Sequence, residues 1–264
     1  MSILANKAPS AAWAKRNGLP HLSEALGSAW NPLSSVRSAM DSWLASVDLF
    51  ESEDASFDAQ LGWALTVGDF QWAEQLIDES PAPTRTRAIA NLKSARGELA
   101  AADKLFRSAI NNGDTDAYVD FANSLMHRAE VDFPAVRTLL MRAIALGDIL
   151  GWASLSTAYW LEGDDEAAMQ SAMDGVDAGS IGSLVRLAYA AYGLGYVRIA
   201  MAASLDALQL GAEEALFPLA CCISLLGDYV TLGLLVNLIR GRINPVLESE
   251  ILSEFLKGDA DEPV

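Results

Sequence analysis

The sequence predicts an all-α fold, a solenoid of stacked helical hairpins, and two observations carry that prediction. Alanine is abundant while Val and Ile are sparse. That favours helix over sheet, because alanine gives up no side-chain entropy in a helix. Glycines also recur in two interleaved series. One runs Gly68, Gly97, Gly163, Gly195, Gly227, with steps of 32 between the last three and 66, close to two periods, from Gly97 to Gly163. The other, Gly113, Gly147, Gly179, Gly211, advances by 34, 32 and 32. A glycine just past a helix end adopts the left-handed conformation that other residues resist, and a neighbouring Asp caps the next helix. Two series therefore mean two helices per unit. Hairpins of that size bury their apolar faces by stacking on their neighbours.

The elements follow in order. Residues 1–54 form an N-terminal helical segment. It holds short helices broken around Gly18 and Pro20, a longer helix from Asn31-Pro32 to about Phe50, and a polar connection Glu51 to Asp54. Residues 55–243 divide into six units, about 55–82, 83–114, 115–148, 149–180, 181–212 and 213–243. The third has a lengthened turn between Arg128 and Pro134. Asn244-Pro245 reads as an N-cap with proline at the first helical position. The helix it opens is amphipathic, with Val246, Leu247, Ile251, Leu252, Phe255 and Leu256 on one side. Residues 244–257 thus make a capping helix for the open end of the stack, and 258–264 an acidic tail.

Within the units, Trp152, Leu155 and Tyr159, with Ser156 in the glycine place, follow the W-x2-L-G-x2-Y pattern. Ala168 stands where a small residue lets two helices approach. Ala102 and Phe106 supply an A-x3-F element followed by Ala109, and Ala73, Ala200 and Ala207 occupy similar places, while Leu232 replaces the small residue in the last unit. Over roughly residues 55–242 the chain resembles the tetratricopeptide repeat family. The resemblance implies a right-handed α-solenoid whose first helices line a concave groove.

Composition excludes several function classes. The formal net charge is −17, and residues 51–82 carry eight acidic groups and no basic one. No segment offers the basic face that nucleic acid or an anionic membrane surface needs. The only cysteines are the neighbours Cys221 and Cys222. They are too few for a disulfide framework, and the N-terminus lacks the uninterrupted apolar core of a signal peptide. A reducing, cytoplasmic setting is expected. The run Ala215–Ile239 holds a single charge, Asp228, but Pro218, Gly227 and Gly233 interrupt it, so a buried hairpin is expected rather than a membrane span.

The acidic stretch Glu162, Asp164, Asp165, Glu166 around Gly163 invites a cation-site reading. Its carboxylates are consecutive rather than alternate, and the Gly-Asp turn recurs at 68 and 227, so it reads as a helix start. His21 and His127 stand alone, without the neighbouring ligands zinc needs. No phosphate-cradling loop, HExxH or nucleophile-elbow motif occurs. No metal, cofactor or catalytic residue is assigned. Among titratable groups, Asp116, Asp120 and His127 are the one cluster that an enzyme on this scaffold would use.

The resemblance supplies a groove inventory. It runs Arg87 and Asn91, then Asp116, Val119, Asn123, Met126 and His127, then Thr157 and Trp160. Arg186, Tyr189 and Tyr192 follow, and Phe217 and Cys221 close it. Arg87 and Asn91 echo half of the family's carboxylate clamp. Leu150 and Ser154 stand where its other basic residues would be. What remains is a polar, partly basic beginning and an aromatic end, and aromatics with an Arg among them are common anchors for a partner. The sequence therefore predicts a non-enzymatic scaffold that takes a peptide or helix of another protein, with a basic segment favoured by the acidic surface. The alternative is a structural subunit that uses the apolar 181–239 surface as an obligate interface. There Leu234, Leu235 and Leu238 would meet another protein or a second copy of the chain.

Overall fold

The computed structural model describes residues 8–27, 30, 35–36, 39–40, 56–240, 243 and 247–253. Their regular elements are all helices, with no strand among the described residues. The chain divides into two compact units, an inserted unit of Ser52–Ala158 and a flanking unit that joins Met1–Glu51 to Tyr159–Val264.

The inserted unit contains three helical hairpins. These are α1 (Phe57–Thr66) with α2 (Phe70–Glu79), α3 (Ala82–Ala95) with α4 (Leu99–Asn111), and α5 (Ala117–Met126) with α6 (Phe133–Ala145). Each helix packs on its sequence neighbours, and the first helices α1, α3 and α5 also touch in succession. The next helix, α7 (Leu150–Glu162), begins in this unit and crosses the division at Ala158.

The flanking unit continues the pattern. It holds α8 (Asp165–Asp177), α9 (Ile181–Gly193) with α10 (Val197–Gln209), and, after a single 3-10 turn, α11 (Leu216–Leu225) with α12 (Tyr229–Ile239). Two short N-terminal helices, α13 (Ala11–Arg16) and α14 (Pro20–Ala25), complete it, and α14 packs on α10. The run Ala215–Ile239 is thus a broken hairpin, and no helix among the described residues is long and apolar enough to cross a membrane. Residues 247–253 are helical, with Ile251 buried and Leu247 and Leu252 packed on the same core. The expected helix from Asn31 to Phe50 is helical at 35–36 and 39–40 and otherwise lies outside the described residues, as do the 51–54 connection and the 258–264 tail.

The turn chemistry is local. Every glycine of the two series has positive φ, from 70° at Gly227 to 91° at Gly147, a region that residues with a Cβ resist. Asp69, Asp164 and Asp228 accept backbone N–H bonds from Trp72, Ala167 and Thr231. The acidic stretch at 162–166 is accordingly a helix start, with Asp165 and Glu166 in the first turn of α8, where the helix dipole favours negative charge. The longer 127–132 turn ends in an Asp132 cap to Ala135.

Small residues set the helix spacing. Ala73, Ala102, Ala168, Ala200 and Ala207 are all fully buried. Ala102 lies in the same core as Phe106, whose ring stacks on Phe121 at 5.3 Å. Gly151 shows how tight the approach is: a Cβ there would lie 2.9 Å from Ile144 Cγ1 and 3.3 Å from the Leu140 carbonyl.

Candidate functional site

The first helices of the two units carry different side-chain chemistry. In the inserted unit the centre is Arg87 on α3, only 5% exposed. Its guanidinium donates from Nε to Asp114 at 3.3 Å, from Nη1 to Asp120 at 3.0 Å and from Nη2 to Asp58 at 3.1 Å. Asp116 lies 3.6 Å from Nη2. Asn91, one turn further along α3, donates to the same Asp120 oxygen at 2.7 Å. Burial alone would favour the neutral guanidine. The carboxylates of Asp120 and Asp58 outweigh it and hold Arg87 above its ordinary value.

This geometry changes the reading of Arg87 and Asn91. The sequence offered both to a partner, but each donates to carboxylates of the same chain. Asp58 comes from α1, Arg87 from α3, Asp120 from α5 and Asp114 from the turn before it. Arg87 therefore ties three consecutive first helices together through one planar, multi-donor cation. One guanidinium faces four carboxylates, and burial pushes Asp120 above its ordinary value against the opposing pull of Asn91 and Arg87.

The titratable trio proposed for an enzyme does not converge. Asp116 precedes α5 and His127 follows it. Their separation along the helix is about 16 Å. Asp120 belongs to Arg87. His127 is exposed, and no group of three or more potential metal ligands gathers among the described residues. Asn123 is half-buried, Val119 and Met126 are buried, and Thr157 bonds back to the Ala153 carbonyl at 3.0 Å.

In the flanking unit, by contrast, four expected groove residues do come together. Trp160 near the end of α7 lies 6.0 Å from the Tyr189 ring of α9, tilted by 56°. Tyr189 in turn stacks on Phe217 of α11 at 6.1 Å and 20°. The Arg186 guanidinium sits 5.4 Å from the Tyr189 ring centroid, a cation–π contact. Trp160 is 42% exposed, while Tyr189 and Phe217 are half-buried. Burial pushes the Tyr189 phenol up to about 12 against the opposing charge of Arg186, and Glu250 and Glu214 are close enough to add to the rise. Tyr192 is half-buried against the core. Cys221 is buried, and burial pushes the Cys222 thiol up to about 12, so Cys222 is not a reactive thiolate at neutral pH.

The apolar α12 surface divides. Leu234 is exposed and Leu238 half-buried, but Leu235 is only 1% exposed and belongs to the chain's own core. Leu235 thus cannot face a partner. Val230, at 77%, takes its place on the outer stripe one turn before Leu234.

Reading the sequence alone missed Asp58 and Asp114 as partners of Arg87, and it missed Asp206. Asp206 is the one acidic residue in α10, VRIAMAASLDALQ, and is 2% exposed. A lone carboxylate between Leu205 and Ala207 on an apolar helix was the available signal. It accepts the backbone N–H groups of His21 at 2.9 Å and Leu22 at 2.8 Å. No protein-family model matches the chain, and no curated protein matches it.

Proposed function

We propose that the chain is a right-handed, tetratricopeptide-like α-solenoid. In this reading it is a non-enzymatic, cytoplasmic scaffold that binds a peptide or helix of another protein. The observation that carries this reading is the row Trp160, Tyr189, Phe217. Consecutive first helices bring these rings into contact, yet leave the leading Trp exposed. Aromatic anchors backed by an Arg are the side chains that dominate protein recognition, because large rigid rings bury much area at little entropic cost. A basic partner segment is favoured, since Glu214 and Glu250 lie close to Tyr189 and the whole chain carries −17.

A peptide selected from a random library against the full chain tests this. Its affinity should fall by about thirtyfold or more in Trp160→Ala, the effect of a hot-spot anchor, and should weaken as salt is raised. Unchanged affinity in Trp160→Ala and Tyr189→Ala rejects the aromatic row as the site.

A structural-subunit reading has its own support in the exposed residues Leu225, Leu226, Val230 and Leu234 around α12. Such a cluster marks an interface when contiguous. Light scattering of the chain and of Leu234→Glu separates the two readings. An obligate interface predicts an oligomer that the charge dissolves, with Trp160→Ala leaving it intact.

A further inference from the structure

We propose that α13 and α14 form a releasable strap, an intramolecular ligand seated on α8 and α10, and that the seat beneath them is a helix-receiving surface. This surface lies on the second helices of the hairpins, so the proposal does not rest on the aromatic row.

The strap is held by a few specific clamps that reach far along the chain. Trp13 Nε1 and Asn17 Nδ2 both donate to Asp177 Oδ1 at 2.9 Å, at the end of α8. Asp206 of α10 takes the two N–H groups at the start of α14. Arg198, two turns earlier on the same helix, donates to the carbonyls of Ala25 at 3.1 Å and Gly27 at 3.4 Å, at the other end of α14, and lies 5.7 Å from the Trp30 ring. A carboxylate at the N-terminus and a guanidinium at the C-terminus match the polarity of a docked helix end to end. Between them Trp13, Leu22 and Ala25 bury their apolar surface.

The same contact carries costs that an ordinary core does not. Neither helix exceeds six residues, and helices that short do not persist without their seat. His21 Nε2 and Trp30 Nε1 are buried without a hydrogen-bond partner among the described residues. The Asp206 carboxylate is withdrawn from water, which pushes it up to about 7 despite its two N–H donors. Short helices, a buried imidazole nitrogen without a partner among the described residues and a desolvated carboxylate place the strap at the low-stability end of the unit, where local opening occurs. The apolar contact itself is well packed, with Ala14 and Leu22 of the strap as fully buried as Ala200, Ala203, Leu205 and Ala207 of the seat, so the weakness lies in the polar groups and the short helices.

Two measurements on the full chain test this. In hydrogen exchange, the amides of α13 and α14 should exchange at least about tenfold faster than those of α8 and α10; exchange in step with α10 overturns the proposal. Leu22→Asp should release the strap while the chain keeps its helical circular dichroism. It should then bind a labelled synthetic peptide of residues 8–30 at least about tenfold more tightly than wild type does, because the tethered competitor is gone. Adding Asp206→Ala to Leu22→Asp should abolish that gain. A folded Leu22→Asp chain that ignores the peptide, or loss of the fold on Leu22→Asp, shows that α13 and α14 are integral and rejects a strap.

Discussion

The inserted and flanking units follow one plan, helical hairpins closed by glycine turns, but their first helices are joined by different chemistry. Arg87 links α1, α3 and α5 through carboxylates, with Phe106 and Phe121 supplying the apolar contact nearby. In the flanking unit the corresponding contacts are aromatic and aliphatic, Trp160 to Tyr189 to Phe217 over a continuous core. The difference shows that the hairpin plan leaves the joining chemistry open. Where ions join the helices, the cation is consumed in the fold. Where rings join them, part of the aromatic surface stays available.

The largest expected effect breaks the ionic side of that comparison. Arg87→Met should destabilise the inserted unit by about 3–5 kcal/mol, because Asp114 and Asp120 lose their cation, and Asp120, which burial already pushes above its ordinary value, must be left unpaired or take up a proton. Urea unfolding, with hydrogen exchange reporting on α3 and α5, reads it. Arg186→Met, at the half-buried aromatic row, should cost under about 1 kcal/mol. Equal losses for the two arginines would show that Arg87 is no more a linchpin than Arg186.

A cavity breaks the apolar side. Leu205→Ala, at a fully buried position of α10, should cost about 2–5 kcal/mol in the flanking unit. A loss below about 1 kcal/mol in thermal or urea unfolding would contradict the tight packing there.

The strap sharpens the comparison through pH. Asp206 is raised to about 7 from its ordinary 3.8, with burial the largest cause and Glu24 adding to it. The docked state thus holds the proton more tightly. Its contribution is full below about pH 4 and is lost as pH rises through 7. His21 is lowered from 6.5 by burial, against Glu24, so its contribution is present above that value and is lost as pH falls. Strap protection in hydrogen exchange, corrected for intrinsic rates, should therefore decline from pH 4 to 7 in the wild type. Asp206→Asn should reverse that slope and leave the rise due to His21. An unaltered slope in Asp206→Asn removes Asp206 as the controlling group.

The smallest stability effect belongs to the aromatic row. Trp160→Ala should shift unfolding by about 1 kcal/mol, since the residue is 42% exposed and touches only the edge of the row, while weakening a selected peptide strongly. A large stability loss there would make Trp160 a packing residue like Phe106.

Local features were legible in advance. Gly163, Gly195 and Gly227 and the caps Asp69, Asp164 and Asp228 stand where the sequence predicts, because a left-handed turn and an N-cap depend on residues within three or four positions. Trp160, Arg186, Tyr189 and Phe217 were named from the groove offsets that the repeat resemblance implies, and they do meet in space. Arg87 was named from the same offsets but is buried among carboxylates of its own chain. Its outcome depends on Asp58, Asp114 and Asp120, 27 to 33 residues away in sequence, and no local pattern marks such pairs.

The sequence by itself determined the helices, their turns and the period with which hairpins succeed one another, since those follow from propensity, glycine conformation and apolar spacing. The tertiary structure alone decided which charges are consumed and which rings stay exposed. It also brought residues 11–25 back onto α8 and α10, across more than 150 positions of chain. Burial and the pairing of distant polar groups are properties of the packed helices, and the energy of each depends on neighbours that only the fold assembles.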